Sequence, residues 1–297
     1  MRVRRFAFLL AVLMVVGAGP SSPDPAAHRR NIDEWRARRR ASLEREDGWL
    51  TLVGLAWLDP GENSVGSDPK SRVVLPSSAP AKLAAIRLAG TTATIETAAG
   101  ETLESEGRPV TSAVLATDAH GEPTVLRKGS VRFYLIERGG RIGVRVKDSQ
   151  SAARRNFHGI ESWPTDPRWR IEARFEKYDP PKKISVPNVL GATSSESSPG
   201  ALVFEAGGRT NRLDVVDEEG TSDWFVIFGD QTNGRETYGG GRFLYVTPPA
   251  AGAPAVVDFN KAYNPPCVFS PYATCPLPPA QNRLALRVEA GEKSYEH

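Results

Sequence analysis

The chain of 297 residues is poor in the side chains that most often carry catalysis: it has four His, two Cys and two Met. His28 and His297 fall near the two ends of the mature chain, and His120 precedes Gly121 in a turn-like stretch. That leaves His158, in Asn156-Phe157-His158-Gly159, as the interior candidate for a general base, metal ligand or triad member. The motifs of nucleotide and zinc chemistry are missing too. There is no Gly-x-x-x-x-Gly-Lys loop, no Gly-x-Gly-x-x-Gly turn, no nucleophile elbow and no His-Glu-x-x-His. Ser67-Asp68-Pro69-Lys70 matches a Ser-x-x-Lys pattern, but it sits among Gly and Pro without a Lys-Thr-Gly partner and reads as a turn. No cofactor and no metal is expected. A long hydrophobic run is also lacking, since the unbroken apolar stretch Phe6 to Val16 is too short to span a bilayer comfortably.

That short run has another reading. It follows the basic Met1 to Arg5 and precedes Val16-Gly17-Ala18, the small residues a signal peptidase reads. Residues 1–18 are therefore expected to be a cleaved secretory signal peptide, which makes the protein exported, periplasmic or secreted. Cleavage removes three of the 38 basic residues and none of the 35 acids, so the +3 formal charge belongs to the leader. A mature chain without net charge has no overall attraction for phosphate backbones or anionic lipid, which argues against nucleic acid or membrane partners after cleavage.

What is abundant is punctuation: 27 Gly and 24 Pro, with 40% hydrophobic and 25% charged residues. This is the composition of a soluble globular chain made of many short strands. Residues 19–27 read as a flexible leader, and residues 28–297 as one β-rich domain. From about His28 to Asp47, Ile32, Trp35 and Leu43 stand at helical spacing amid alternating Arg and Glu, which predicts one amphipathic helix with a solvated, ion-paired face. Trp49 to Leu58 predicts a buried strand pair or a bend at Gly54. Thereafter the period is two. Trp169 to Glu176 alternates strictly, Gly139-Gly140 marks a hairpin, Trp224 to Phe228 predicts a strand covered on both faces, and Leu284 to Ala290 is a last alternating set. No further helix is predicted, and the Ser-rich Ser194 to Pro199 reads as a mobile loop or a boundary between two β halves. The fold class is mainly β: an antiparallel β-sandwich or partly closed β-barrel preceded by one N-terminal helix.

The unusual chemistry is concentrated after Phe228. Asp230 follows a buried strand, and Tyr238 and the glycine run Gly239 to Gly241 precede Arg242, which can hold a carboxylate or phosphate bidentately or pair with Asp230 or Asp258. Asp258 and Asn260 end a short strand, and Tyr263, Asn264, Cys267 and Cys275 lie in a proline-stiffened segment. The run Asp258 to Cys267, then Cys275-Pro276-Leu277-Pro278-Pro279, Asn282-Arg283-Leu284 and Ala290-Gly291-Glu292-Lys293, resembles the bacterial and archaeal family known as domain of unknown function 1684. Thr237-Tyr238, Gly241 to Leu244 and the earlier Trp49-Leu50, Gly54-Leu55 and Trp57-Leu58 fit the same pattern, which extends the resemblance from about Trp35 onward. It implies no activity and no catalytic residues. Gly229 stands where that pattern suggests a bulkier polar residue.

For Cys267 and Cys275 three readings stay open: a disulfide closing a short loop, worth about 2.5 kcal/mol, thiols packed as small hydrophobes, or a metal site with His158 or Asp258. For function, the first reading is a small polar or carbohydrate-like ligand held by Arg242, Asn260, Asn264, Tyr238 and Tyr263. The second is a hydrolase using Asp230, Asp258 and Glu292 as acid and base. The third is a purely structural polar network. The sharpest expectation is that Arg242, Asp258, Asn260, Asn264 and Cys267 form the rim of a concave site, which requires the strand of Arg242 to pair with the strand Val256 to Phe259.

Overall fold

The structure, a computed structural model, describes residues 24–218 and 220–295. The expected signal peptide, the first residues of the leader up to residue 23, and His297 lie outside them. The helix begins earlier than its apolar spacing suggests. Asp24 accepts a hydrogen bond from the Ala26 amide at 3.1 Å, Pro25 occupies the first turn where no amide donor is needed, and helix α1 runs Pro25–Glu44.

A single 3-10 turn, Trp49–Thr51, leads straight into one strand, β1 Leu52–Trp57, so the apolar run is neither a strand pair nor a sharp bend. Gly54 instead marks a slip in register. There follow β2 Gly61–Gly66, β3 Val73–Val74, β4 Ala84–Ala89, β5 Thr92–Thr97, β6 Leu103–Ser105, β7 Arg108–Val110, β8 Ser112–Leu115, β9 Leu126–Lys128, β10 Val131–Arg138 and β11 Arg141–Asp148. Gly139 and Gly140, both at positive φ, turn β10 into β11 as the sequence predicts. These strands form a six-stranded sheet, β1-β11-β10-β9-β6-β7, and a five-stranded one, β3-β2-β4-β5-β8. Alternate residues of each point at the other. Phe133, Leu135, Val144 and Val146 meet Val65, Ile86 and Ile95 in a core of buried aliphatic and aromatic side chains. This half is a β-sandwich.

One further helical turn, α2 Ala152–Arg155, was not foreseen, because four residues carry no periodicity. The second half contains β12 Arg170–Pro187, β13 Thr193–Ala206, β14 Arg209–Asp214, β15 Val216–Asp217, β16 Trp224–Phe228, β17 Arg242–Val246 and β18 Ala255–Asp258. They form a four-stranded sheet, β14-β13-β12-β18, and a three-stranded sheet, β15-β16-β17. Between them lies a second core, in which Phe259 packs 5.3 Å from Phe228 and 5.8 Å from Phe204, ring centre to ring centre. Ser194 to Pro199, expected as a loop or boundary, lies within β13. Lys182–Pro187 of β12 offers it a partner of equal length; Ser194 and Ser195 stay exposed while Ile184 and Val186 of the partner strand are buried. Leu284 to Ala290 does the opposite. Leu284, Val288 and Ala290 are buried, yet the segment joins no sheet ladder; Arg242 takes the carbonyls of Val288 and Ala290, and the Gln231 amide takes that of Leu286.

Helix α1 lies across the second half. Its stripe His28, Ile32, Trp35, Arg39 and Leu43, spaced three and four apart, meets the segment 258–269. Among the described residues no helix is long and apolar enough to cross a membrane.

Candidate functional site

Strand β16 delivers Asp230 to the edge of the second core, and β17 begins with Arg242. The pair meets at 2.8 Å with both side chains fully buried. Asp230 Oδ1 accepts from the Thr232 amide at 2.8 Å, the Thr232 hydroxyl at 2.7 Å and the Val288 amide at 3.3 Å. Arg242 Nη2 also donates to the Val288 carbonyl at 2.9 Å, and Nη1 donates to the carbonyls of Ala290 and Glu292. Burial pulls the Arg242 guanidinium below its usual range, and Asp230 opposes that shift. Of its nitrogens, Nε has no partner. Gly241 makes this packing possible: its φ is +86°, and a Cβ there would lie 2.5 Å from Pro278 Cγ.

Asp258 ends β18 and caps the turn Phe259–Lys261, accepting from the Asn260 amide at 3.2 Å and its side-chain nitrogen at 2.9 Å. Its other oxygen meets His28 Nε2 at 2.7 Å. Asn260 is spent in the opposite direction, accepting from the Asp166 amide and donating to the Asp166 carbonyl, both at 2.9 Å. This closes the loop before β12 onto the strand end.

Glu292 is the third carboxylate. Its Oε2 accepts from the Asn264 amide at 2.7 Å and its Oε1 from Arg39 Nε at 3.2 Å. Arg39 Nη2 donates to the Asn264 carbonyl at 2.9 Å, while the guanidinium lies 4.7 Å over the ring of Tyr263. Burial pushes the Glu292 carboxyl above the usual carboxylate range, with Arg39 opposing. Glu292 also opens onto a cleft. A cleft of about 450 Å³ runs between α1 and residues 158–162, lined by Arg36, Arg39, Arg40, His158 and Glu161, with Glu292 among them. In it Arg36 donates to the Trp163 carbonyl at 2.8 Å and its Nε has no partner.

Several expectations are thereby corrected. The strand of Arg242 pairs with β16, and β18 pairs with β12, so the proposed pairing of the two does not form. Arg242, Asn260 and Asn264 are fully buried and Asp258 nearly so, which makes them an interior network rather than a rim. Asp230, Asp258 and Glu292 do not converge; each is bound by its own partner, Arg242, His28 or Arg39. Tyr263 packs between Trp35, Phe243 and Tyr245. Tyr238 lies apart from it, against the cluster of Leu43, Leu50 and Phe269. His158 is exposed at the cleft, and the interior histidine is His28. Gly229 is crowded, since a Cβ there would lie 3.2 Å from Asn233 Oδ1.

Cys267 and Cys275 are free thiols here, with each amide donating to the other's sulfur at 3.0 and 3.3 Å. Their neighbours are apolar. Among the described residues no three His, Cys, Asp or Glu side chains group to hold a metal ion.

Sequence reasoning missed His28, Arg36 and Arg39. The signal was present for two of them: His28 and Arg39 continue the helical stripe of Ile32, Trp35 and Leu43, a position where a charged residue is buried and needs a partner.

With this geometry in hand, comparison with known proteins gives a consistent but modest result. No curated protein matches the chain. The solution NMR structure of an uncharacterized protein of Haloarcula marismortui shares 31% identity, over 47% of this chain and 78% of that one, with a TM-score of 0.40. The model of the family described as "Protein of unknown function (DUF1684)" matches residues 155–293, a shorter reach than the resemblance from Trp35 onward suggested. Residues 155–293, the stretch that holds Arg242, Asp258 and Glu292, thus resemble that family.

Proposed function

We propose that the protein is exported and binds a small carbohydrate-like ligand bearing an acidic group, in the cleft between α1 and residues 158–162. The observation that carries this reading is the position of Glu292, a buried carboxylate that reaches a cleft whose lining also includes Arg36, Arg39, Arg40, His158 and Glu161. A cavity of about 450 Å³ accommodates a monosaccharide-sized molecule. Arg36 and Arg40 supply cationic donors for a carboxylate or phosphate. Glu292, whose carboxyl burial pushes above the usual carboxylate range, presents oxygens that can accept from a ligand hydroxyl. His158 at the mouth adds an imidazole that can hydrogen-bond a ligand. Export is supported by the signal-peptide pattern of residues 1–18.

In this reading Arg242 with Asp230, and His28 with Asp258, are structural. Asp230 and Asp258 are held inside the protein by Arg242 and His28, and Glu161, the other carboxylate of the cleft, is paired with Lys293, which disfavours paired-carboxylate hydrolysis. The test is calorimetric titration of the mature protein with glucuronate and with glucose. Binding of glucuronate, weakened at least tenfold by Arg36→Met and by Glu292→Gln, is the expected result. Equal binding of both sugars, or of neither, contradicts it.

A further inference from the structure

A second charged site lies in the other half of the molecule, on the outer face of the six-stranded sheet. Strand register places Arg132 directly opposite Lys147 on one side and Arg127 on the other, with Tyr134 opposite Arg145 in the next row. Like charges facing one another across a sheet are destabilising unless something compensates them. Arg132 has Glu46 at 2.8 Å. Arg145 and Lys147 have no carboxylate of the described residues within ion-pair distance. Arg145 is only 5% exposed, its Nε has no partner, and its sole side-chain hydrogen bond runs to Thr274 Oγ1 at 3.4 Å. The faces of Trp49 and Tyr134, 5.2 and 5.9 Å from the guanidinium, give it partial relief. Lys147 shares both rings and donates to the Asp47 carbonyl. Burial and the neighbouring Arg145 push the Lys147 ammonium down to about 8.

These groups open onto a groove of about 720 Å³. Acids also stand along it, but they belong to its rim. Asp47 is bound by Arg45 and Asp118 by Arg138, and Glu104, Glu106 and Glu122 are exposed to water. Buried charges interact more strongly than solvated ones, so the floor keeps its positive sign.

We propose that this groove binds a small oxyanion, a phosphate or carboxylate group, between Arg145 and Lys147. The anion supplies the counter-charge that the buried, unpaired Arg145 otherwise lacks, and it relieves the cross-strand row of cations. The site is independent of the α1 cleft, which lies in the other half of the chain.

Calorimetric titration of the mature protein at low ionic strength, with inorganic phosphate in one arm and citrate in the other, tests it. Binding in either arm at one site per chain, weakened at least tenfold by Arg145→Met and by Lys147→Met, is expected. The two arms decide between phosphate and carboxylate. Lys147 is only part-buried, so Lys147→Met tests the site even if Arg145→Met fails to fold. Arg87→Met, which removes an exposed cation of the five-stranded sheet, should leave the affinity unchanged. No binding in either arm overturns the proposal. So does an affinity lost in Arg36→Met but kept in Lys147→Met, which would place the anion in the α1 cleft.

Discussion

The two halves of the molecule bury different things. Between the six- and five-stranded sheets the core is aliphatic and aromatic but for Asn63 and, at its edge, Asp148. Between the four- and three-stranded sheets, and under α1, the interior also holds an arginine, a histidine and three carboxylates. Apolar packing is non-directional, so the first half can be filled by side chains of suitable volume. Hydrogen-bonded ions are directional, and each partner's removal strands the other. In the second half the ion pairs do what strand ladders do elsewhere. Arg242 ties the irregular segment 288–292 to the sheet through three carbonyls, and His28 ties the N-terminal helix to the end of β18.

The difference predicts an asymmetric response to substitution. Arg242→Ala leaves Asp230 buried without its cation and should cost about 3–5 kcal/mol, seen as a lower midpoint in urea unfolding. In the first half, Leu135→Met, which nearly conserves volume, should cost less than about 1.5 kcal/mol in the same experiment. A larger loss there than at Arg242 would erase the contrast. His28→Ala should lie between, at about 1.5–3 kcal/mol, because a hydrogen bond to a buried carboxylate is lost. A change within about 0.5 kcal/mol would mean that α1 is held by its other contacts, those of Ile32, Trp35, Arg36, Arg39 and Leu43.

The smallest effect is a pH dependence. Glu292 holds its proton to higher pH in the folded protein than in the unfolded chain. Its contribution is therefore fully present below the unfolded carboxylate pKa near ~4.3 and is lost as pH rises through the folded value. Glu292→Gln has no such loss, so stability measured from pH 4 to 8 should shift in favour of the variant as pH rises. A constant difference would show that Arg39 compensates the buried charge completely.

How much of this was legible follows from the same contrast. Period-two alternation reads apolar burial directly, so β10, β11, β16 and the Gly139-Gly140 turn follow from residue order. Alternation at Leu284 to Ala290 reported burial correctly and strand pairing wrongly, because residue order does not say that Arg242 claims those carbonyls. The same limit applies to the site. Asp230, Arg242, Asp258 and Glu292 stand out as unusual in sequence, and all are buried. Which partner meets which acid depends on contacts more than 200 residues apart for His28 and Asp258. The dense charge of α1 reads as solvated until one sees that His28 and Arg39 fall on the apolar stripe rather than opposite it.

The most direct measurement of the account's central claim is a double-mutant cycle on Arg242 and Asp230. Unfolding free energies of Arg242→Met, Asp230→Asn and the double variant would be compared with the parent. If the pair is a buried structural tie, each single change is costly and the double variant recovers part of the loss, giving a coupling of at least about 2 kcal/mol. Single changes that add within about 0.5 kcal/mol would mean that the two side chains do not depend on one another, and the polar interior of the second half would not be the network described.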